Sequence, residues 1–90
     1  MTIWKFPARP DMFVLEMPSG ARILSIDAQN GKPFLWALVD PDAPKVQRRF
    51  LTAGTGHPLH DSVSGAAFVG TFQLHGGALV FHLFDFGVSE

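Results

Sequence analysis

Apolar and polar residues alternate along most of this chain, in short stretches separated by proline, glycine and asparagine. Alternation with a period of two is typical of strands that turn one face to a core and the other to solvent. The pattern therefore predicts an all-β fold with antiparallel pairing. The seven predicted strands are residues 2–6, 12–17, 22–29, 32–40, 48–53, 67–74 and 78–86.

The strongest local signal is Asn30-Gly31, which joins the third and fourth predicted strands. Asparagine tolerates a positive φ and glycine has no Cβ to clash, so the pair suits both central positions of a type I′ turn. The apolar runs on either side then predict an antiparallel hairpin. Gly76-Gly77 predicts a second tight turn, between the last two strands.

The last predicted strand, residues 78–86, is apolar on both faces. Such a strand is central in its sheet or covered on both sides. It favours a small, curled antiparallel sheet or a barrel of six or seven strands over a flat sheet open to water. At most one short helical turn is expected, with Asp42 as its cap, because Pro41 and Pro44 leave no room for a longer helix.

Composition predicts one small domain, residues 1–90, in which 47% of the residues are hydrophobic and nine are Phe. The chain has no cysteine, so disulfides cannot supplement its core. Aromatic packing or self-association must then supply stability, and we expect a homo-oligomer.

Charge and hydropathy exclude some partners. Seven Lys and Arg against eight Asp and Glu give a net charge of −1. A non-specific nucleic-acid binder needs a basic surface, so we expect no nucleic-acid partner. The first residues lack the features of a signal peptide, and no run approaches the ~18 apolar residues of a spanning helix. A cytoplasmic protein without a membrane partner is the expectation.

Six short segments carry a resemblance that extends over nearly the whole chain. They are IWKF at residues 3–6, MP at 17–18 with GA at 20–21, LWALVD at 35–40, GTGHP at 54–58, GTF at 70–72 and LVFH at 79–82. On these residues the chain resembles a family of small uncharacterised proteins encoded by bacteriophages, prophages and their hosts. That family has no assigned activity or catalytic residues. The resemblance implies a phage setting in the host-cell cytoplasm, where small compact proteins often block host defences or decorate virions.

The richest candidate site is the segment of residues 54–61, the first part of a long loop that covers residues 54–65. Its glycine amides and the Thr55 hydroxyl suit an anion, and long loops on a rigid scaffold tend to carry function. It is neither a P-loop nor a dinucleotide fingerprint, since no Gly-Lys-Ser/Thr follows and Leu59 replaces the third glycine. An arginine would meet the ligand's charge and Trp36 its base. The predicted ligand-binding residues are Arg48, Arg49, Gly54, Thr55, Gly56, His57, His60 and Trp36.

The same loop contains residue types that are used in metal sites and in hydrolases. His57, His60 and Asp61 include metal-ligand side chains, with His75 as a further candidate, but their spacing matches no established site, so no metal and no cofactor is predicted. Three neighbours in one loop seldom form a Ser-His-Asp triad, so no catalytic residue is predicted. A hydrolase that uses a loop histidine for acid–base chemistry is the enzyme alternative.

Five residues on strands carry further expectations, and three of them have two interpretations. His82 is expected to be a buried or half-buried histidine with one hydrogen bond, the alternative being a polar group in an apolar pocket. Trp4 and Trp36 are expected in the core because they lie on alternating strands; an exposed tryptophan would instead form a stacking platform or an interface anchor. Arg48 and Arg49 should point to opposite faces of an extended segment.

These expectations lead to a non-catalytic binding protein of phage type. It would sequester a small anionic, nucleotide-derived ligand and so inhibit host anti-phage defence. The alternative is a protein–protein interaction or virion-associated module without a small-molecule ligand. The identity of the ligand or partner and the number of subunits are left open by the sequence.

Overall fold

A computed structural model describes residues 1–88 of the chain. The strands are β1 (Thr2–Pro7), β2 (Asp11–Pro18), β3 (Arg22–Gln29), β4 (Lys32–Val39), β5 (Lys45–Gly54), β6 (Ala67–Leu74) and β7 (Leu79–Val88). Two short 3-10 turns lie at Asp61–Gly65 and His75–Gly77. The prediction of an all-β fold with six or seven strands is confirmed, and the number is seven. None of the helical segments in the described part is long and apolar enough to cross a membrane.

The strands form two antiparallel sheets, in the orders β1-β4-β3 and β2-β5-β7-β6. Residues from both sheets make up one hydrophobic core, and the edge strands β3 and β6 lie against each other. Within residues 1–88 the sheets do not close into a barrel, so the curled form of the prediction is the one found. We call the side of each sheet that faces the core its inner face, and the opposite side its outer face.

Large side chains from both sheets fill this core. Aromatic rings pack in pairs within it: Phe13 stacks on Phe50 at 5.3 Å between ring centroids, and Phe72 stacks on Phe81 at 5.5 Å. Such pairs add to the free energy gained by burying their area. The largest fully buried side chains are Phe50, Met17, Leu35, Leu83, Val39 and Pro18.

The predicted hairpin forms as a type I′ turn. Asn30 and Gly31 have φ values of 54° and 77°, and Gln29 lies opposite Lys32. Pro33 pairs with Ala28, next to that closing pair. Bonded and non-bonded pairs alternate along an antiparallel ladder, so the backbone of Pro33 turns away from β3, and its carbonyl accepts the Ala8 N–H on the β1 side at 3.1 Å. A proline is tolerated near the start of β4 because β1, the strand on the side that its nitrogen faces, has already ended at Pro7.

The helical turn expected at Asp42 does not form. The Asp42 N–H donates to the Asp40 carboxylate at 3.0 Å, and the Ala43 N–H donates to the Asp40 carbonyl at 3.1 Å. These bonds close residues 40–43 as a β-turn, because an aspartate side chain can imitate a backbone acceptor. Lys45 then pairs with Pro18 as the first residue of β5.

Candidate functional site

The connection from β5 to β6 lies across the outer face of β7. β5 and β6 flank β7 in the sheet, so the chain must pass over β7 to go from one to the other. The 3-10 turn at Asp61–Gly65 packs on β7, and Ala53 on the outer face of β5 is only 6% exposed. This cover explains why β7 is apolar on both faces, as the sequence pattern indicated.

The connection begins with a tight turn at the end of β5. The His57 N–H donates to the Gly54 carbonyl at 3.2 Å, and Gly56 has a φ of 83°. A positive φ at the third residue of a turn favours glycine. The His57 ring lies directly on Gly54, where a Cβ would come within 2.9 Å of the ring atoms Cε1 and Nδ1. Glycine at position 54 thus lets the imidazole fold back onto the strand.

His60 holds the next part of the connection in place. Its Nδ1 accepts a hydrogen bond from the Ser62 N–H at 3.0 Å and lies 3.0 Å from the Ser62 hydroxyl. This is the capping contact for the 3-10 turn that follows. Because Nδ1 accepts the amide proton, a neutral ring carries its own proton on Nε2. His60 therefore combines a structural acceptor with a second nitrogen that can donate.

A groove lies between this connection and the outer face of the sheet, with a volume of about 200 Å³. Leu51, Ala53 and Phe86 contribute an apolar floor. The groove lining is completed by Pro58, Leu59 and Val63 together with the polar residues Asp11, His57, His60 and Ser62, and by Met12, Thr52 and Gly54. We call it the loop groove.

Arg49 lies at the edge of the loop groove. Its guanidinium carbon is 5.8 Å from the centroid of the Phe86 ring, which belongs to the groove floor. Arg49 and Leu51 are also two residues apart on β5, so their side chains share one face of the strand. A cation thus stands beside the aromatic part of a groove whose lining also includes two imidazoles.

The structure brings together four of the eight predicted ligand-binding residues. Gly54, His57 and His60 line the loop groove, and Arg49 lies beside it. Gly56 forms the turn and does not line the groove. Ligand contact by any of these residues stays a prediction.

Thr55 points instead toward His82 on β7. The Thr55 hydroxyl lies 2.7 Å from Nε2 of His82, and the Thr71 hydroxyl lies 2.9 Å from Nδ1 of the same ring. His82 is half-buried, as expected, but it has two hydrogen-bonding partners where one was predicted. The Thr55 N–H also donates to the Val80 carbonyl at 3.1 Å. Thr55 therefore ties the start of the connection to β7.

Arg48 and Arg49 point to opposite faces of β5, which confirms the prediction for an extended segment. The Arg48 side chain turns inward and forms a two-pronged ion pair with Asp85, with Nη2–Oδ2 and Nε–Oδ1 distances of 2.6 and 3.2 Å. It also donates to the Ala21 carbonyl. Asp85 is 8% exposed and accepts a further bond from the Gly87 N–H at 2.8 Å. Arg48 thus reaches a carboxylate of its own chain.

The two tryptophans have different environments. Trp4 packs against the core, as predicted. The core interpretation of Trp36 is wrong, since it is half-buried on the outer face of β4, with its ring centroid 6.4 Å from that of Phe34. β4 belongs to the other sheet, and Trp36 does not line the loop groove. Both faces of β4 are apolar, so alternation alone gave no sign of which face is buried.

The loop histidines do not form a metal-ligand set in the structure. Among residues 1–88, no group of three or more His, Cys, Asp or Glu side chains is placed to hold a metal ion. His60 uses Nδ1 as a cap acceptor, and the His57 ring lies on Gly54.

Sequence reasoning missed the floor of the groove and the partner of Arg48. The sequence pattern places Leu51 and Phe86 on strands without marking them as part of a site, and it does not mark Asp85. The two-faced apolar pattern of residues 78–86 was a usable signal, because it implied that something covers the outer face of β7. It could not show that the covering segment is the connection of residues 54–65.

Comparison with known proteins adds a family without an assigned activity. The family model described as a domain of unknown function, DUF7352, matches residues 1–88. No curated protein and no solved structure matches the chain.

Proposed function

We propose, for a chain that belongs to the DUF7352 family, that it binds a small anionic, nucleotide-derived ligand in the loop groove without transforming it. The observation that carries this proposal is the path of residues 54–65 across β7. That path places His57 and His60 beside an apolar floor that contains Phe86, with Arg49 at the edge. An aromatic floor next to a cation and imidazole donors suits a planar base that carries a phosphate.

Each group has a defined part in this proposal. The ligand's planar ring packs on Leu51 and Phe86. The Arg49 guanidinium meets the negative charge, because its planar fork matches phosphate oxygens. His60 donates from Nε2 while Nδ1 keeps the Ser62 N–H.

The size of the groove limits how the ligand is held. At about 200 Å³ it is smaller than the roughly 300–1,000 Å³ of most enclosed ligand sites. Only part of a nucleotide fits, so a second subunit would complete the enclosure. This ties the ligand proposal to the expected homo-oligomer.

Binding without turnover fits the role of His60. A hydrolase that used Ser62 as nucleophile would need a free imidazole nitrogen beside the hydroxyl. The nitrogen that lies there, Nδ1, already accepts the Ser62 N–H that caps the 3-10 turn. The proposed consequence of tight binding is sequestration. In a phage-infected host cell, it would withhold a nucleotide signal from a defence pathway, the setting implied by the family resemblance.

Native mass spectrometry tests the proposal. The protein is purified gently from its expression host and measured alone, then after mixing with cyclic and ADP-ribose-type nucleotides. The expected result is a discrete added mass that is released chemically intact on denaturation, in a spectrum that also gives the number of subunits. Release of an altered nucleotide would indicate an enzyme, and bare subunits throughout would contradict ligand binding.

Two variants locate the binding in the loop groove. Arg49→Gln should weaken nucleotide binding by about tenfold, the effect of losing about 1.4 kcal/mol. Arg22→Gln, on the other sheet, is the matched control and should bind as the parent does. His60→Asn keeps an acceptor for the Ser62 N–H but loses the Nε2 donor, so it separates ligand contact from the cap. Unchanged affinity in both Arg49→Gln and His60→Asn would place the ligand elsewhere.

Protein–protein interaction is the second candidate function, because the outer faces expose large apolar side chains. Phe68 is 59% exposed, and Met12 and Val14 on β2 are 49% and 48% exposed. Met12 and Val14 share the outer face of β2, and exposed apolar patches mark partner sites. A protein partner retained in the native spectra, with no nucleotide mass, would favour this function.

A further inference from the structure

The space between the two sheets opens at one end of the molecule into a second groove, with a volume of about 220 Å³. Its walls are inner-face side chains of β6 and β7, among them Phe72, Leu74 and Phe81. The connection between β1 and β2 closes another side with Arg9 and Pro10. We call this the end groove. It lies on the inner face of the sheet, whereas the floor of the loop groove is formed by the outer face.

Aromatic surface dominates the end groove. Phe72 and Phe81 are stacked with ring centroids 5.5 Å apart and planes inclined by 26°. Rings held in this way offer a flat apolar surface of fixed orientation. A ring or short chain fits such a groove, since an engineered cavity of about 150 Å³ already admits benzene.

Thr52 supplies an unpartnered polar group at the same place. Thr52 pairs with Leu83 of β7, whose side chain lies in the core, so its own side chain projects from the inner face. The residue is 6% exposed and lines the end groove. Within residues 1–88 its hydroxyl oxygen has no hydrogen-bonding partner. Leaving a buried hydroxyl unpaired costs about 1–3 kcal/mol, so a molecule in the end groove that pairs with it would gain affinity.

Arg9 sets the charge at the rim. It is exposed, lines the end groove and forms no ion pair among residues 1–88. A cation at the mouth of an apolar groove favours a ligand with an apolar body and an anionic head.

We propose that the end groove is a binding site for a small aromatic carboxylate. The ring packs on the stacked Phe72 and Phe81, the carboxylate faces Arg9, and a ligand oxygen accepts a hydrogen bond from Thr52. Thr52 also lines the loop groove, but the other residues of the end groove do not, and the proposal does not depend on the proposed function.

Amide NMR spectra of the full chain, titrated with phenylacetate, test the assignment. Saturable shifts are expected at Arg9, Thr52 and Phe81. Phenylacetamide, which has the ring without the charge, should bind about fivefold more weakly, the effect of one exposed ion pair. Acetate, which lacks the ring, should produce no saturable shift at these amides. Shifts at His57 and His60 with none at Arg9 and Phe81, or equal binding of acetate and phenylacetate, would overturn the proposal.

Two variants sharpen the test. Arg9→Gln should lower the affinity for phenylacetate to that for phenylacetamide, while the control Arg22→Gln leaves it unchanged. Thr52→Val should weaken phenylacetate binding by about fivefold, the effect of one lost hydrogen bond. The same change should raise the melting temperature of the free protein, because it removes an unpaired buried hydroxyl. If Thr52 had only a structural role, Thr52→Val would not lower the affinity for phenylacetate while raising the melting temperature. Unchanged affinity in both variants would overturn the ligand class.

Discussion

At the scale of single residues, the Arg48–Asp85 pair has the most concentrated set of polar contacts. Arg48 bridges β5, β7 and the turn before β3, through Asp85 and the Ala21 carbonyl. Both side chains are largely removed from water, at 18% and 8% exposure. In such a setting either partner alone becomes an uncompensated buried charge.

Replacing Asp85 by Asn tests this structural role. Asp85→Asn keeps the shape but leaves the Arg48 charge without its partner, so the free energy of unfolding should fall by about 3 kcal/mol. Urea denaturation measures the loss. Asp42→Asn, an exposed carboxylate in the β4–β5 turn, is the control and should change stability by less than about 0.5 kcal/mol. If Asp85→Asn lowered the free energy of unfolding by less than about 0.5 kcal/mol, the ion pair would have no structural role, and Arg48 would be available for the ligand contact predicted from the sequence.

Gly54 is the second residue with a specific steric demand. A methyl group there would lie 2.9 Å from the His57 ring, so Gly54→Ala should push the imidazole off the strand and out of the loop groove. Crowding of this kind costs about 1 kcal/mol, and the His57 ring resonances in the NMR spectrum should move. Gly65→Ala is the matched control, since a Cβ at Gly65 meets no atom within 4 Å. An unmoved His57 ring in Gly54→Ala would contradict the contact.

At the scale of elements, the Asn30-Gly31 turn shows how local chemistry determines a hairpin. Both residues have positive φ, which costs a β-branched residue about 1–2 kcal/mol. Asn30→Val should therefore lower the free energy of unfolding by about that amount, whereas Asn30→Gly should be nearly neutral because glycine accepts the same φ. Thermal denaturation of the two variants compares them. Equal stability would mean that the turn has another conformation.

Local signals of this kind predicted the strands well and their arrangement poorly. β3 and β6 have the bounds that alternation and turn residues predicted. β5 begins three residues earlier than predicted, because the side chain of Asp40 closes a β-turn and frees Lys45 to pair with Pro18. The order β2-β5-β7-β6 depends on contacts between distant segments, which no local pattern encodes.

In the candidate site, too, the sequence predicted the local segment but not its position in the fold. The sequence identified the long connection and its histidines, because glycine, proline and length mark a loop. Where that loop lies follows only from the strand order, which forces it over β7 beside Phe86. The interpretations of Trp36 as a core residue and of Arg48 as a ligand contact both depended on which side of its sheet the residue faces. Alternation tells which residues share a face, but not which face is covered.

At the scale of the whole molecule, the two sheets make a thin body. The Cα atoms span 40 × 32 × 15 Å and have a radius of gyration of 13.0 Å, against about 12 Å expected for a compact chain of this length. A thin two-layer body leaves wide outer faces in solvent. This accounts for the exposure of Ile3 and Phe68, at 56% and 59%, on different sheets.

From this shape we predict that two copies of the chain associate through β2. β2 is an edge strand of eight residues, and Met12 and Val14 are about half exposed, at 49% and 48%. Long apolar edges present free backbone groups that a second copy can pair with, and a lysine on the edge strand is the usual means of preventing such pairing.

Val14→Lys should therefore weaken the dimer by about tenfold or more, through like charges that face each other across a twofold axis. Leu24→Lys, at a site 42% exposed on the other sheet, should leave it unchanged. Sedimentation velocity over a range of concentrations measures both, and a parent protein that stays monomeric throughout would contradict the prediction.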